Sequence, residues 1–191
     1  MAHTDETITT GIYVDGAARP ASDNAVYDIF NPARPSELVG HAAAATERDV
    51  DEAVRAAHAA FGEWAKLSLG ERATLLRQAA DKLAADEEDI KFRSRLFTRE
   101  HGKIARETMM EMSRLGDRFR QAADYGDRMA IEEEIACPPF DTIVTRQPAG
   151  VAALIVPWNW PLSILGAKLP QALVVGNTVV VKISEYSALA P

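Results

Sequence analysis

The sequence predicts an α/β fold in which an N-terminal β-ribbon and a layer of helices lead into a parallel sheet. All ten prolines lie in residues 20–35 and 138–191, and the proline-free stretch between them is rich in Ala, Glu, Arg and Leu, which favours helices. The last 46 residues hold only four charged side chains, as expected for a buried core. They also contain two apolar runs separated by a helical segment, a pattern typical of a parallel βαβ unit.

The ribbon is predicted within residues 8–45. Two runs of strand-forming residues, 12–14 and 26–30, flank a turn-rich stretch. Asn31-Pro32 closes the second run, because the residue before a proline is conformationally restricted. A third run, residues 38–43, is expected to pair with the first two.

Four helices are predicted between residues 46 and 130. The first carries an apolar stripe from Val50 to Trp64, and the last carries one from Met109 to Met129. Acidic residues 86–89 favour the start of the third helix, and Gly102 favours its end. Two capping boxes mark the starts of the first two helices: Thr46 with Asp49, and Ser68 with Glu71.

Strands are predicted again after Ile131. Residues 131–145 indicate two strands joined by a turn at Pro138-Pro139. The apolar runs 151–156 and 178–181 indicate parallel strands that are covered on both faces.

A helix that begins near Pro161 and is interrupted at Pro170 is predicted to connect these parallel strands. Strands of this kind belong to larger sheets, so we expect the chain to be the N-terminal part of a larger α/β protein. Expressed alone, the chain is therefore expected to be unstable or poorly soluble, and cofactor is not expected to rescue it.

Composition excludes several classes of protein. The formal net charge of −7 and the pI near 5.1 argue against binding to nucleic acid or to an anionic membrane surface. The single cysteine, Cys137, excludes an intramolecular disulfide framework and a multi-cysteine zinc site, and the histidines show no metal-ligand spacing. With no secretory signal and no membrane-length apolar run in the sequence, we expect a soluble cytoplasmic protein without a metal.

The turn after the first buried strand is the first candidate site. Ligands of open α/β sheets bind beyond the carboxyl ends of strands, and residues 157–162 (PWNWPL) occupy such a position. The turn has no glycine-rich phosphate loop. Asn159 offers a side-chain amide that can donate to an oxygen gaining negative charge, although from position alone the same residue can simply cap the helix.

The end of the second buried strand is the other candidate site. Lys182 and Glu185 emerge there together, and an ammonium and a carboxylate can hydrogen-bond both hydroxyls of a ribose. The alternative is an ordinary ion pair on the surface.

Together these segments identify a known family. The sequence resembles the aldehyde dehydrogenase superfamily over nearly the whole chain, with Trp160 where phenylalanine is usual and Ile183 where proline is common. Looser support comes from Asn31-Pro32, from Glu71-Arg72 and from residues 100–103 (EHGK). The motifs that carry the resemblance are 157–162 (PWNWPL), 169–173 (LPQAL), 176–182 (GNTVVVK) and Ser184-Glu185.

The resemblance implies NAD(P)-dependent oxidation of an aldehyde to a carboxylic acid. In this family a cysteine attacks the aldehyde, a hydride passes to the nicotinamide, and a glutamate assists hydrolysis of the thioester. Asn159 matches the oxyanion donor. The cofactor, NAD in preference to NADP, is expected to contact the matching positions Ile155, Val156, Pro157, Trp158, Lys182, Ser184 and Glu185.

The resemblance also implies three segments and a homo-oligomer. Residues 1–130 correspond to the N-terminal ribbon and helices of the cofactor-binding domain, and residues 131–148 to an oligomerisation hairpin. Residues 149–191 correspond to the first βαβ unit of a truncated Rossmann-like sheet. The resemblance further implies that the catalytic cysteine and glutamate lie beyond Pro191. Cys137 is set aside as the nucleophile, because it has no His or Lys beside it to lower its pKa. The isolated chain is therefore expected to be inactive.

Two alternatives stay open at this point. The chain is either part of such an enzyme or a non-catalytic relic that binds a full-length homologue as a module. Within the superfamily, a member that makes an acyl-CoA or reduces an acyl phosphate would carry the same Asn159 turn.

Overall fold

The computed structural model describes residues 7–191, so the first six residues of the predicted 1–130 segment lie outside the described residues. The described chain forms nine strands and six helices. None of these helices combines the length and the apolar character needed to cross a bilayer.

The N-terminal ribbon consists of five strands. They are β1 (Ile8–Thr10), β2 (Ile12–Val14), β3 (Ala17–Arg19), β4 (Val26–Asn31) and β5 (Arg34–Ala43). In the main sheet β5 lies between β1, which is parallel to it, and β4, which is antiparallel. The predicted pairing of the second and third runs is thus confirmed as β4 with β5.

The predicted pairing of the first run was wrong. Strand β2 forms a separate antiparallel hairpin with β3. Asp15 and Gly16 between them both have positive φ, at 51° and 78°. Two adjacent residues of this conformation make the tight turn that suits the twist of a β-hairpin, so β2 pairs with its immediate neighbour.

The helical layer follows the prediction closely. It contains α1 (Glu47–Lys66), α2 (Leu69–Ala85), α3 (Glu87–His101) and α4 (Ala105–Arg128). Both predicted capping boxes are formed, and Gly102 ends α3 in the left-handed conformation with φ of 80°. The apolar stripe of α1 is only partly buried, since Val50 remains 52% exposed.

Two apolar clusters form the core. The first packs the β4–β5 sheet against α3 and against residues 188–190. The second packs α2 against α4. The buried members of the second cluster are Ala73, Leu76, Ala80, Phe119, Ala122, Ala123 and Val174.

The remaining elements are a hairpin and a βαβ unit. The hairpin joins β6 (Glu132–Cys137) to β7 (Phe140–Thr145). The βαβ unit contains β8 (Val151–Ile155), α5 (Pro161–Gly166), α6 (Leu169–Val174) and β9 (Thr178–Lys182), and β8 is parallel to β9 as predicted.

Burial of the parallel strands is incomplete within residues 7–191. Helices α1 and α6 pack against β9. Ile155 and Val181 nevertheless remain 72% and 37% exposed, so the described chain does not cover both faces as the sequence predicted.

Candidate functional site

The carboxyl ends of β8 and β9 lie side by side and bring the two predicted site segments together. Ile155 is the register partner of Lys182, and the Val156 amide donates to the Lys182 carbonyl at 3.1 Å. The turn that contains Asn159 and the turn that contains Glu185 therefore leave the sheet at the same edge.

Asn159 is exposed in the turn between β8 and α5. The N-cap of α5 is Trp160, whose side chain forms no capping hydrogen bond, and the Asn159 side chain forms none either. The alternative in which Asn159 caps the helix is therefore wrong. No described residue hydrogen-bonds the Asn159 carboxamide, which leaves its N–H donors available to a ligand; the oxyanion role itself stays a prediction.

A buried ion pair lies against this turn. Lys103 donates to the Glu111 carboxylate and, at 2.6 Å, to the backbone carbonyl of Asn159. The second oxygen of Glu111 accepts from the Ser163 amide at 3.0 Å. Sequence reasoning assigned neither charged residue a role; the available signal was a glutamate placed between two methionines, 110 and 112, close to the predicted apolar face of α4.

Trp158 lies in the same turn and is 51% exposed. The ring centroid of His101 lies 5.6 Å from that of Trp158, and Phe97 packs edge-on against His101 at 5.3 Å. Burial, with the nearby Lys103 ammonium, lowers the pKa of His101. The imidazole is therefore neutral at pH 7 and packs against the indole as a largely apolar ring.

Lys182 and Glu185 form an exposed ion pair, with Nζ 3.3 Å from Oε2. The backbone amide of Glu185 itself, followed by Lys182, lowers the pKa of this carboxyl, so Glu185 is ionised at neutral pH. Ser184 is buried, and its hydroxyl donates to the Glu185 carboxylate at 3.4 Å and accepts from the Tyr186 amide. The buried Ser184 thus helps to orient the exposed Glu185 side chain.

This set of groups suits a nucleotide. The Lys182 ammonium and the Glu185 carboxylate can bond the adjacent hydroxyls of a ribose. The exposed apolar surface of Ile155 can pack against the planar base that is attached to that ribose. Among the described residues no cluster of His, Cys, Asp and Glu could hold a metal ion. Cys137 is exposed at the end of β6, where it pairs with Phe140 in the hairpin.

Behind Trp158 and Glu185 lies a cleft of about 510 Å³ that is also lined by Tyr27, Ile29 and Glu100. The two carboxylate oxygens of Glu100 accept from the amides of Leu189, at 2.8 Å, and Ala190, at 3.0 Å. Burial raises the pKa of Glu100 to about 7, and the backbone amide donors act against that rise.

We expect the stability of the chain to fall as the pH rises from about 4.5 to about 7 and to level off above that, because of Glu100. A glutamate in an unfolded chain has a pKa near 4.3, so in this window the folded state binds more protons than the unfolded state. The loss amounts to at most about 4 kcal/mol. The measurement is urea unfolding at pH 5 and pH 8 of an enzyme in which a full-length homologue supplies the part beyond residue 191, with and without Glu100→Gln. Equal changes in stability between the two pH values for both proteins would contradict the assignment.

Comparisons with known proteins agree with this geometry. The model of the aldehyde dehydrogenase family matches residues 19–191. The chain is 37% identical over 171 residues to the alpha-ketoglutarate semialdehyde dehydrogenase of Haloferax volcanii, covering 89% of this chain and 35% of that protein. It is 30% identical to the D-glyceraldehyde dehydrogenase (NADP(+)) of Picrophilus torridus, covering 93% and 36%.

Solved structures show the same relationship. The NAD-dependent aldehyde dehydrogenase of Sinorhizobium meliloti superposes with a TM-score of 0.86 at 29% identity, covering 98% of this chain and 37% of that one. The chain thus spans just over a third of the length of these relatives. It belongs to the aldehyde dehydrogenase family.

Proposed function

We propose that the chain supplies the oxyanion donor and the nucleotide-binding edge of an NAD(P)-dependent enzyme that oxidises an aldehyde to a carboxylic acid. One observation carries this proposal. The exposed side-chain amide of Asn159, which does not cap α5, and the Lys182–Glu185 ion pair both follow the carboxyl ends of β8 and β9. They therefore lie at the same edge of a parallel sheet.

Asn159 acts on the carbonyl oxygen of the aldehyde. When a nucleophile adds to the carbonyl carbon, that oxygen gains negative charge, and the Asn159 amide donates a hydrogen bond to it. The donor is already in place and need not break a bond to a described residue. The family resemblance assigns the nucleophile to a cysteine other than Cys137, which lies in the exposed hairpin.

The β8–β9 edge would hold the cofactor. Lys182 and Glu185 would hold the ribose hydroxyls of the adenosine half, and residues 155–158 would form one wall of the cofactor site. Bound NAD(P) would supply the acceptor for the hydride that leaves the substrate carbon. The Sinorhizobium meliloti relative is NAD-dependent and the Picrophilus torridus relative uses NADP, so both cofactors occur among similar proteins.

We expect NAD to be preferred over NADP. A 2′-phosphate would place negative charge beside the ionised Glu185. In Glu185→Gln the ratio of kcat/KM for NADP to that for NAD should rise about tenfold, because the repulsion between the carboxylate and the 2′-phosphate is removed. Glu63→Gln, an exposed glutamate of α1, is the matched control. Equal kcat/KM for both cofactors before mutation would refute this preference.

The proposal is tested in a fusion enzyme, defined as residues 1–191 joined to the remaining part of the Haloferax volcanii relative. We expect NAD-dependent turnover of an aldehyde to the free acid, and none from residues 1–191 alone. Strict dependence on CoA, or on an acyl phosphate, would place the chain in another reaction class of the family. A fusion without turnover, together with co-elution of residues 1–191 and a full-length homologue on gel filtration, would favour the binding module.

We also propose that the hairpin β6–β7 takes part in forming a homo-oligomer. Its apolar side chains are exposed, with Phe140 and Ile143 at 71% and 61%. Exposed apolar residues on a two-stranded hairpin are expected to be covered by another surface.

A further inference from the structure

The buried pair Lys103–Glu111 holds both ends of the segment 159–163. Lys103 lies in the loop between α3 and α4, and Glu111 lies on α4; their side chains are 6% and 0% exposed. Lys103 bonds the Asn159 carbonyl, and Glu111 bonds the Ser163 amide in the first turn of α5. The Lys103 ammonium also lies 3.6 Å from the centroid of the Trp160 ring. The segment 159–163 is therefore fixed at its first residue by Lys103 and at its last residue by Glu111.

From these contacts we propose that Lys103 and Glu111 are positioning residues. They set the location of Asn159 for oxyanion binding and leave its side-chain amide free to donate. This inference rests on the proposed function. An α-helix has unpaired N–H groups in its first turn, and a polar side chain just before the helix normally accepts from one of them. In α5 the acceptor is Glu111, supplied by another helix, so Asn159 is not used as a cap.

Charge explains why the pair comprises both residues. A buried ion pair adds little stability compared with apolar residues of similar volume, so packing alone gives no reason for it here. Lys103 compensates the Glu111 carboxylate and donates to a carbonyl that lies in the turn. Removing either residue leaves the other as an uncompensated buried charge and releases one end of the segment.

The test is a double-mutant cycle in the fusion enzyme. Lys103→Met is expected to lower kcat about 10- to 100-fold, since a displacement of about 1 Å at a catalytic group can cost that much. The KM for NAD should change less than about twofold. In an Asn159→Ala background the same Lys103→Met change should lower kcat less than about threefold, because the group through which it acts is gone. Lys82→Met, an exposed lysine of α2, is the matched control.

A purely structural role gives a different result. Equal losses of kcat from Lys103→Met in both backgrounds would overturn the positioning role. If Lys103→Met does not fold, Glu111→Gln replaces it in the cycle: it keeps an oxygen for the Ser163 amide and removes the charge, and the same coupling to Asn159 is expected.

Crystal structures separate this inference from the proposed function. In Lys103→Met, the Asn159 Cα is expected to move by about 1 Å from its position in the parent enzyme. A turn that superposes within about 0.3 Å would overturn the positioning role whatever the activity. If Asn159→Ala itself leaves kcat unchanged, the proposed oxyanion role fails, and the displacement of the turn alone decides whether Lys103 and Glu111 position it.

Discussion

Replacing Asn159 with alanine is expected to lower the kcat of the fusion enzyme by about 10²–10³, with little change in the KM for NAD. The side-chain amide is exposed at the β8 edge and forms no hydrogen bond within residues 7–191. Its donor is therefore useful only when an oxygen gains charge, and losing it raises the energy of the transition state more than that of the ground state. Steady-state kinetics with saturating cofactor provide the measurement.

Two further variants sharpen this result. Asn24→Gly changes an exposed asparagine with a φ of 59° in the N-terminal ribbon and should leave kcat unchanged. Asn159→Asp replaces the donor with a carboxylate that repels the developing oxyanion, and should be at least as damaging as alanine. A kcat for Asn159→Ala within about threefold of the parent would remove Asn159 from the mechanism.

Replacing Arg72 with methionine is expected to destabilise the fold by about 3 kcal/mol or more, because backbone carbonyls lose a buried donor. Arg72 is 4% exposed. It donates to Val174 at the end of α6 at 2.7 Å, and to Leu67, Trp64 and Ala65 at the end of α1. Burial lowers the pKa of Arg72, yet an arginine stays charged at neutral pH, and it faces the negative ends of two helices.

Thermal unfolding of the fusion enzyme tests the Arg72 prediction. The matched control is Arg55→Met, since Arg55 is 75% exposed and pairs with Asp51 on the same helix, where such pairs contribute little. A melting temperature for Arg72→Met equal to that of the control would show that Arg72 does not join these helices.

Local signals account for the elements that the sequence predicted well. Capping boxes, the glycine that ends α3 and the prolines that start α5 and α6 act within a few residues, so they can be recognised without knowing the fold. The pairing of β2 was missed although its signal is also local, because Asp15-Gly16 was treated as the start of a longer turn-rich stretch and not as a complete hairpin turn.

The candidate site was predictable in its location but not in its support. The family motif and the position after a buried strand both pointed to Asn159. The contact between Lys103 and the Asn159 carbonyl joins residues 56 positions apart, and a single sequence carries no sign of such a contact. For the same reason, position alone could not exclude a capping role for Asn159.

Because α5 is capped by Glu111 from another helix and not by a residue of its own turn, selection for folding and selection for activity act on different residues. Residues that both cap a helix and bind a ligand cannot change without affecting folding and activity together. Here the Ser163 amide in the first turn of α5 is bonded by Glu111, so the Asn159 side chain is not needed to cap the helix. Variation at Asn159 would therefore pass unnoticed in a screen for soluble, folded protein, whereas variation at Arg72 would be removed by the same screen before activity was ever measured.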